Sequence, residues 1–210
     1  MDTQLGLRER KKRDTRRRLV EAAVRLFAEQ GYEQTTTAQI AAAAEVSPRT
    51  FFSYFDTKED VVFGMAEERG AHGIQALADR RGDEGPLDAL LRTYNEMWVQ
   101  AWQPDIDEYR QRGLQLVQTV PALRARGLLK FFEWCEQMTD ALHEAYPDEL
   151  DLTEAAAMVG SIAGAMQVAA LEAGRRGGTP EELATAVERA AQLALAGWST
   201  NDGDAPLNNG

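Results

Sequence analysis

The chain has 210 residues, of which 44% are hydrophobic and 27% charged, and this composition is typical of a globular protein with one large or two small domains. Its formal net charge is −11 at pH 7, and its single cysteine excludes an intrachain disulfide. No stretch approaches the roughly 18 uninterrupted apolar residues of a membrane span, so we expect a cytoplasmic protein without a membrane segment.

The charge is unevenly distributed along the chain. Residues 8–18 (RERKKRDTRRR) carry eight basic and two acidic side chains, whereas residues 61–210 carry twelve basic and twenty-four acidic ones. One end of the molecule is therefore expected to attract phosphates and the other to repel them. The alternative is a solvated terminal run without a partner. Because this terminus lacks apolar periodicity, we predict a flexible basic arm over residues 1–14.

The helical pattern begins near Thr15, where apolar residues start to recur on one face. Gly31 is predicted to end this first helix, because glycine accepts the left-handed conformation cheaply. Threonines at 35–37 supply N-cap oxygens for a second helix over about residues 37–44. Its alanines would allow a neighbouring helix to approach closely.

A third, short helix is predicted directly after the second. Glu45-Val46-Ser47 forms the connecting turn, Ser47 caps the helix, and Pro48 occupies its first position, where a missing N–H costs nothing. Phe51 and Phe55 are four residues apart and are expected to face the core together. Two short helices with this connection are typical of a helix-turn-helix, whose second helix enters the DNA major groove.

The remainder is predicted to be helical, which makes the fold class all-α with about nine helices. Thr57 and Asp60 resemble a capping box before a helix over about Lys58 to Asp79. No segment shows the two-residue alternation of a strand hairpin. The tail over residues 199–210 is too polar to pack and is predicted to be disordered. The other predicted helices lie near 87–102, 105–117, 121–145, 152–175 and 180–198.

Three motifs carry a family resemblance: LVEAAVRLFAEQGY (19–32), AQIAAAAEVS (38–47) and RTFFSYFDTKEDV (49–61). Together they resemble the TetR/AcrR family of bacterial transcriptional regulators. The resemblance implies a DNA-binding domain over residues 15–60 and a helical effector-binding and dimerisation domain over 61–198. The chain departs from the family pattern at Glu45, where glycine is usual, and at Phe52, where tyrosine is common.

The resemblance also implies which residues meet DNA. Arg49 and Thr50 are expected at base edges, where arginine can pair with guanine O6 and N7 and threonine can touch a thymine methyl. Tyr54 and Lys58 are expected to contact phosphates. For Arg49 the alternative is a solvated surface arginine. The full set of predicted DNA contacts is Thr36, Thr37, Ser47, Arg49, Thr50, Phe52, Tyr54, Lys58, Arg16 and Arg17.

A dimer on a near-palindromic operator is expected, because one helix-turn-helix covers too few base pairs for strong selectivity. The resemblance places the dimer interface on the last two helices, whose small side chains permit close packing; the alternative is that both helices close the core of one chain. The predicted interface residues are Ala156, Gly160, Ala163, Gly164, Ala190, Ala194 and Trp198.

An apolar pocket for a small effector is also implied, and the alternative for each of its residues is ordinary core packing. The effector would act by preferring one subunit arrangement over another. Nothing in the sequence identifies it or decides between repressor and activator, although repression is the family's usual mode. The predicted pocket residues are Met97, Trp98, Trp102, Tyr109, Arg112, Phe131, Trp134, Cys135, Met138 and Met158.

Two rival classes remain at this stage: a helical protein-interaction module and, less favoured, an all-α enzyme. The chain has only two histidines, His72 and His143, and contains none of the common catalytic or metal-binding motifs. We therefore predict no catalytic residue, no metal and no cofactor.

Overall fold

A computed structural model describes residues 2–79, 82, 84–101 and 107–199. Over these ranges the chain is helical and contains no strand, which confirms the all-α prediction. The helices are α1 Asp2–Gln30, α2 Thr37–Ala43, α3 Pro48–Phe52, α4 Asp60–Ala78, α5 Pro86–Ala101, α6 Asp107–Thr119, α7 Pro121–Ala145, α8 Leu152–Arg175 and α9 Pro180–Ser199.

The helices pack into two compact units. The first unit comprises Met1–His72 and Val99–Phe131, and the second comprises Gly73–Trp98 and Phe132–Gly210. Helices α4, α5 and α7 each contribute residues to both units. The predicted disordered tail lies outside the described residues from 200 onward.

The core of the first unit is formed by the apolar faces of α1, α2 and α3 with the start of α4. Leu19 and Ala23 of α1, Ile40 of α2 and Phe51 of α3 are each 0% exposed. A β-carbon on Gly64 of α4 would lie 2.8 Å from the Phe55 ring, so glycine is required for this close approach.

Helix α1 extends further towards the N-terminus than predicted. The sequence analysis assigned residues 1–14 to a flexible arm, but the structure begins the helix at Asp2. Residues 8–18 contain mostly arginine and lysine, which are good helix formers, so they can extend a helix anchored by the packed turns that follow. Arg13 also reaches Glu68 of α4, with Nε 3.5 Å from a carboxylate oxygen.

The second unit is built around the antiparallel pair α8 and α9, and α8 buries one face: Ala155, Met158, Val159, Ile162 and Ala163. Asp151 caps α8 through a capping box with Glu154. Elsewhere in this unit Arg92 pairs with Glu84, with Nε 2.8 Å from a carboxylate oxygen.

Helix α8 corrects one prediction from the sequence. It is long and apolar enough to cross a membrane by length and composition, with an 18-residue window of mean hydropathy 1.4. Residues 155–171 contain no charged side chain. Only 28% of that window is buried within the chain. Small alanine and glycine residues, rather than bulky apolar ones, provide most of this segment, so its apolar character is weak in the sequence pattern.

Candidate nucleic-acid interface

The second helix starts at a well-formed cap. The hydroxyl of Thr36 accepts a hydrogen bond from the Gln39 N–H at 3.2 Å, and the Thr36 N–H donates to the Gln39 side chain at 2.8 Å. This reciprocal arrangement is a capping box, and it fixes the direction in which α2 leaves the preceding loop. Thr36 is exposed and Thr37 is half-buried, so both predicted phosphate contacts lie at the N-terminus of α2.

The turn between α2 and α3 contains a strained residue at the position where the chain departs from the family pattern. Glu45 has a φ of 57°, in the left-handed region that favours glycine. The Val46 N–H donates to the Ala41 carbonyl at 2.9 Å, which closes the turn. Ser47 then caps α3 by accepting from the Thr50 N–H at 3.0 Å, with Pro48 in the first turn.

Helix α3 has two chemically different faces. Phe51 is 0% exposed and its ring centroid lies 5.9 Å from that of Phe55, which is 3% exposed, so the predicted core role of both rings is confirmed. On the other side Arg49 is exposed and the Phe52 side chain is 54% exposed. The rings anchor the helix, while its exposed face presents a cation and an aromatic ring to solvent.

The N-terminal part of α1 forms a basic cleft beside the end of α3. This cleft has a volume of about 320 Å³ and is lined by Arg8, Lys11, Lys12, Thr15, Ser53 and Tyr54. Tyr54 was predicted from the sequence, but Ser53 and these three basic residues were not singled out. Positions 8, 11, 12 and 15 share one face of a helix. Their cluster could therefore be predicted only if the helix was expected to extend into the basic run.

Arg16 does not face outward as predicted. Its side chain is 20% exposed; Nε donates to the Gly64 carbonyl at 3.0 Å, and Nη2 lies 2.5 Å from the Glu67 carboxylate. Its guanidinium also lies 4.7 Å from the centroid of the Phe55 ring. Arg16 therefore ties α1 to α4 and is not proposed as a DNA contact. Arg17 remains exposed, with Nε 3.8 Å from Glu21.

Lys58 is also engaged within the chain. Its Nζ donates to the carbonyls of Tyr32 at 2.8 Å and Thr35 at 3.3 Å, and it lies 4.0 Å from the Tyr32 ring centroid. The Tyr32 hydroxyl donates to the neighbouring Glu59. Burial, together with this bond to a carboxylate, raises the pKa of Tyr32. Lys58 thus stabilises the loop that follows α1, and its predicted phosphate contact is not part of the proposal below.

A buried charge network joins α4 to α7 within the first unit. The side chain of Asp60 is 5% exposed and lies 2.7 Å from Nε of Arg126 and 3.1 Å from Nζ of Lys130. The same Nζ is 2.5 Å from Glu67. Burial alone would raise the pKa of Asp60, but the hydrogen bonds from Arg126, Thr57 and Lys130 outweigh it and lower the pKa.

Asp60 also completes the capping box predicted from the sequence. Its N–H donates to the Thr57 hydroxyl at 3.2 Å, and the Thr57 N–H donates to the Asp60 carboxylate at the same distance. One carboxylate therefore both starts α4 and fixes α7 beside it.

Comparison with known proteins supports this interface. The model of the family described as "Bacterial regulatory proteins, tetR family" matches residues 19–65, which span the packed part of α1, the helix-turn-helix and the start of α4. Over these residues the chain is similar to the TetR family.

Two curated relatives match between half and two thirds of the chain. The HTH-type transcriptional regulator TcmR of Streptomyces glaucescens is 36% identical over 127 residues, covering 59% of this chain and 56% of the relative. The HTH-type transcriptional regulator HbdR of Aromatoleum sp. is 44% identical over 119 residues, covering 56% of this chain and 50% of the relative. The chain thus spans about half the length of the curated relatives it matches.

Solved structures extend the likeness in fold to nearly the whole chain. The fatty acid degradation regulator FadR from Bacillus halodurans has a TM-score of 0.54 at 22% identity, covering 87% of this chain and 95% of that one. At this identity the likeness concerns the fold alone.

The predicted dimer residues divide between two environments. Ala156 and Gly160 are exposed on α8, and Gly164, Ala190, Ala194 and Trp198 are half-buried. Ala163 is 3% exposed, because it lies on the face of α8 that packs within its own chain, and it is withdrawn as an interface residue. The Trp198 indole donates to the Ser161 hydroxyl at 2.9 Å.

The predicted effector residues do not form one group in the structure. Met97, Trp134, Cys135, Met138 and Met158 belong to the second unit, whereas Phe131 and the exposed Arg112 belong to the first. Trp102 and the side chains of Trp98 and Tyr109 lie outside the described residues. Met138 and Met158 are 0% and 5% exposed.

Proposed function

We propose that this chain is a TetR-family protein and a sequence-specific DNA-binding transcriptional regulator. The observation that carries the proposal is the division of α3 into a buried aromatic face and an exposed polar face. Phe51 holds the helix to the core, while Arg49 projects from its first turn. A short helix anchored on one side and exposed on the other can enter a major groove without unfolding its own support.

Base and phosphate contacts are assigned to different residues. Arg49 and Thr50 are proposed to meet base edges, and Ser47, Thr36 and Thr37 lie at helix N-termini that favour phosphate oxygens. The basic cleft supplies further phosphate contacts through Lys11 and Lys12, next to Tyr54. Phe52, which is 54% exposed, can pack against a sugar or a thymine methyl.

We further propose a homodimer that binds a near-palindromic operator. Helix α8 leaves most of its apolar length unburied within the chain, and Val168 is 65% exposed. Leu193 on α9 is 66% exposed. Exposed apolar side chains on two packed helices favour association, and a second copy offers the same small residues for close packing. The recognition helices of the two copies would lie about 34 Å apart along the operator.

The regulator is proposed to be a cytoplasmic repressor that a small molecule releases from DNA, with no catalytic role. In support, one solved TetR structure of 23% identity, FadR of Thermus thermophilus, is described as a transcriptional repressor in complex with lauroyl-CoA. Release requires that the effector bind the arrangement incompatible with DNA more tightly than the arrangement that binds DNA. To shift the population ratio of these two arrangements from 1:99 to 99:1, the effector needs a preference of about 10⁴-fold.

The test is enrichment of duplexes from a random pool by the purified chain, followed by affinity measurement on the enriched sequence. We expect an inverted repeat with half-sites about one helical turn apart, and affinity that falls steeply with salt. The variant Arg124→Ala removes an exposed arginine on α7 outside the helix-turn-helix. It should leave the affinity unchanged and is the control for Arg49→Ala. Recovery of an unenriched pool would contradict the proposed function.

A further inference from the structure

Three buried donors of the second unit have no hydrogen-bond partner among the described residues: the hydroxyls of Thr93 and Tyr94 and the Trp134 indole N–H. Tyr94 of α5 is 5% exposed. Its ring centroid lies 5.9 Å from that of Trp134 on α7, in an edge-to-face arrangement at 69°. Buried polar groups are nearly always paired, so two neighbouring unpaired donors indicate that something else satisfies them.

The same unit satisfies equivalent groups elsewhere. Tyr146 is 1% exposed, and its hydroxyl donates to the Glu84 carbonyl at 2.9 Å. The Trp198 indole donates to Ser161 at the same distance. The unpaired state of Tyr94 and Trp134 is therefore a local property of their position, and it leaves two donors for a bound ligand.

The electrostatics around this pair favour an uncharged ligand. Burial raises the pKa of Tyr94. Burial, and to a smaller extent the nearby charge of Glu136, raises the pKa of the Cys135 thiol to about 11. Both groups therefore stay neutral at pH 7. Arg92, two residues before Tyr94 on α5, is bound by Glu84 and also donates to the Ala76 carbonyl at 3.1 Å. Its guanidinium is thus already engaged and is not available to an anion.

We infer that Tyr94 and Trp134 form the polar end of a ligand site that takes a neutral aromatic molecule bearing a carbonyl or ether oxygen. That oxygen accepts a hydrogen bond from the Tyr94 hydroxyl, the Trp134 N–H or both, and the ligand's rings pack against the aromatic side chains. The regulatory meaning of the site rests on the proposed function, in which a small molecule controls DNA binding. Its chemistry selects against carboxylates and other anions.

The test compares three probes of similar shape by isothermal titration calorimetry, in the absence of DNA. They are 2-acetylnaphthalene, which offers a carbonyl oxygen, 2-ethylnaphthalene, which does not, and 2-naphthoate, which is anionic. We expect the ketone to bind about tenfold more tightly than the hydrocarbon, and naphthoate to bind most weakly.

The variant Tyr94→Phe separates a ligand contact from a structural role. It removes a hydroxyl that has no partner in the unliganded protein, so the melting temperature of that protein should rise by about 2–4 °C. The ketone should bind several-fold more weakly to this variant, while the hydrocarbon binds unchanged. Tyr146→Phe is the matched control: it loses a satisfied hydrogen bond, so it should lower the melting temperature and leave both affinities unchanged.

Equal affinity for ketone and hydrocarbon, no binding of any probe, or a lower melting temperature in Tyr94→Phe would overturn the inference. DNA binding is measured separately on the enriched duplex, so the two proposals fail independently. A chain that binds selected DNA but shows no ketone preference overturns the ligand site alone. A chain that binds the ketone through Tyr94 but selects no DNA supports the site and overturns the proposed function.

Discussion

Replacing Asp60 with asparagine tests the network that joins α4 to α7. The change removes one negative charge and leaves Arg126 and Lys130, whose side chains are 29% and 17% exposed, without their shared counter-ion. Removing one partner of a fully buried ion pair costs about 3–5 kcal/mol. The partial exposure of both cations and the contact between Lys130 and Glu67 reduce the expected loss in unfolding free energy to about 2–3 kcal/mol.

For a chain of this size, such a loss should lower the melting temperature by about 5–10 °C, which circular dichroism can follow. The capping role should survive, because an asparagine side-chain oxygen can still accept from the Thr57 N–H. Glu172→Gln is the control. Glu172 pairs with Arg175 and Arg176, each 74% exposed, so the melting temperature should barely change. An unchanged melting temperature in Asp60→Asn would refute the stabilising role of the network.

The same substitution predicts a pH dependence. The pKa of Asp60 is lowered in the folded chain, so its contribution to stability is present above the ordinary aspartate pKa of about 3.9 and is lost as pH falls through the folded value. The difference in stability between the native chain and Asp60→Asn should therefore be constant near neutrality and shrink in acid. A difference that grows on acidification would contradict the assignment.

Three further substitutions test separate parts of the interface. Lys58→Ala should lower the melting temperature and leave the salt dependence of DNA binding unchanged, because its ammonium is bound to backbone carbonyls; a flatter salt dependence at native stability would restore the phosphate role. Lys12→Gln should do the reverse, reducing the slope of log affinity against log salt by about 1 without affecting stability; an unchanged slope would remove the basic cleft from the interface. Leu193→Glu should give monomers in analytical ultracentrifugation, because it places a charge in the proposed dimer surface. The same change at Leu128, which is 47% exposed on α7, should leave dimers. Dimers in both variants would refute the α8–α9 interface.

The local structure of the helix-turn-helix could be predicted from the sequence because it depends on neighbouring residues. A serine before a proline defines the start of α3, and two phenylalanines four apart define its buried face. Each of these features involves contacts within a few residues, where sequence patterns carry most of the information.

The roles of the long charged side chains could not be predicted in the same way. The family resemblance implied DNA contacts for Arg16 and Lys58, yet their partners are backbone carbonyls and a carboxylate distant in sequence, such as Gly64, 48 residues from Arg16. The unpaired donors of Tyr94 and Trp134 were equally invisible, because the absence of a partner emerges only when α5 and α7 are packed.

Arg49 is proposed to contact a base edge. The most direct test compares the affinity of Arg49→Ala with that of the native chain on the enriched duplex and on its single-base variants. We predict that the native chain discriminates one base pair in each half-site by about 1–3 kcal/mol, and that Arg49→Ala loses discrimination at that pair alone. If Arg49→Ala weakens binding equally on every duplex and keeps the native base preference, the recognition role of α3 is contradicted.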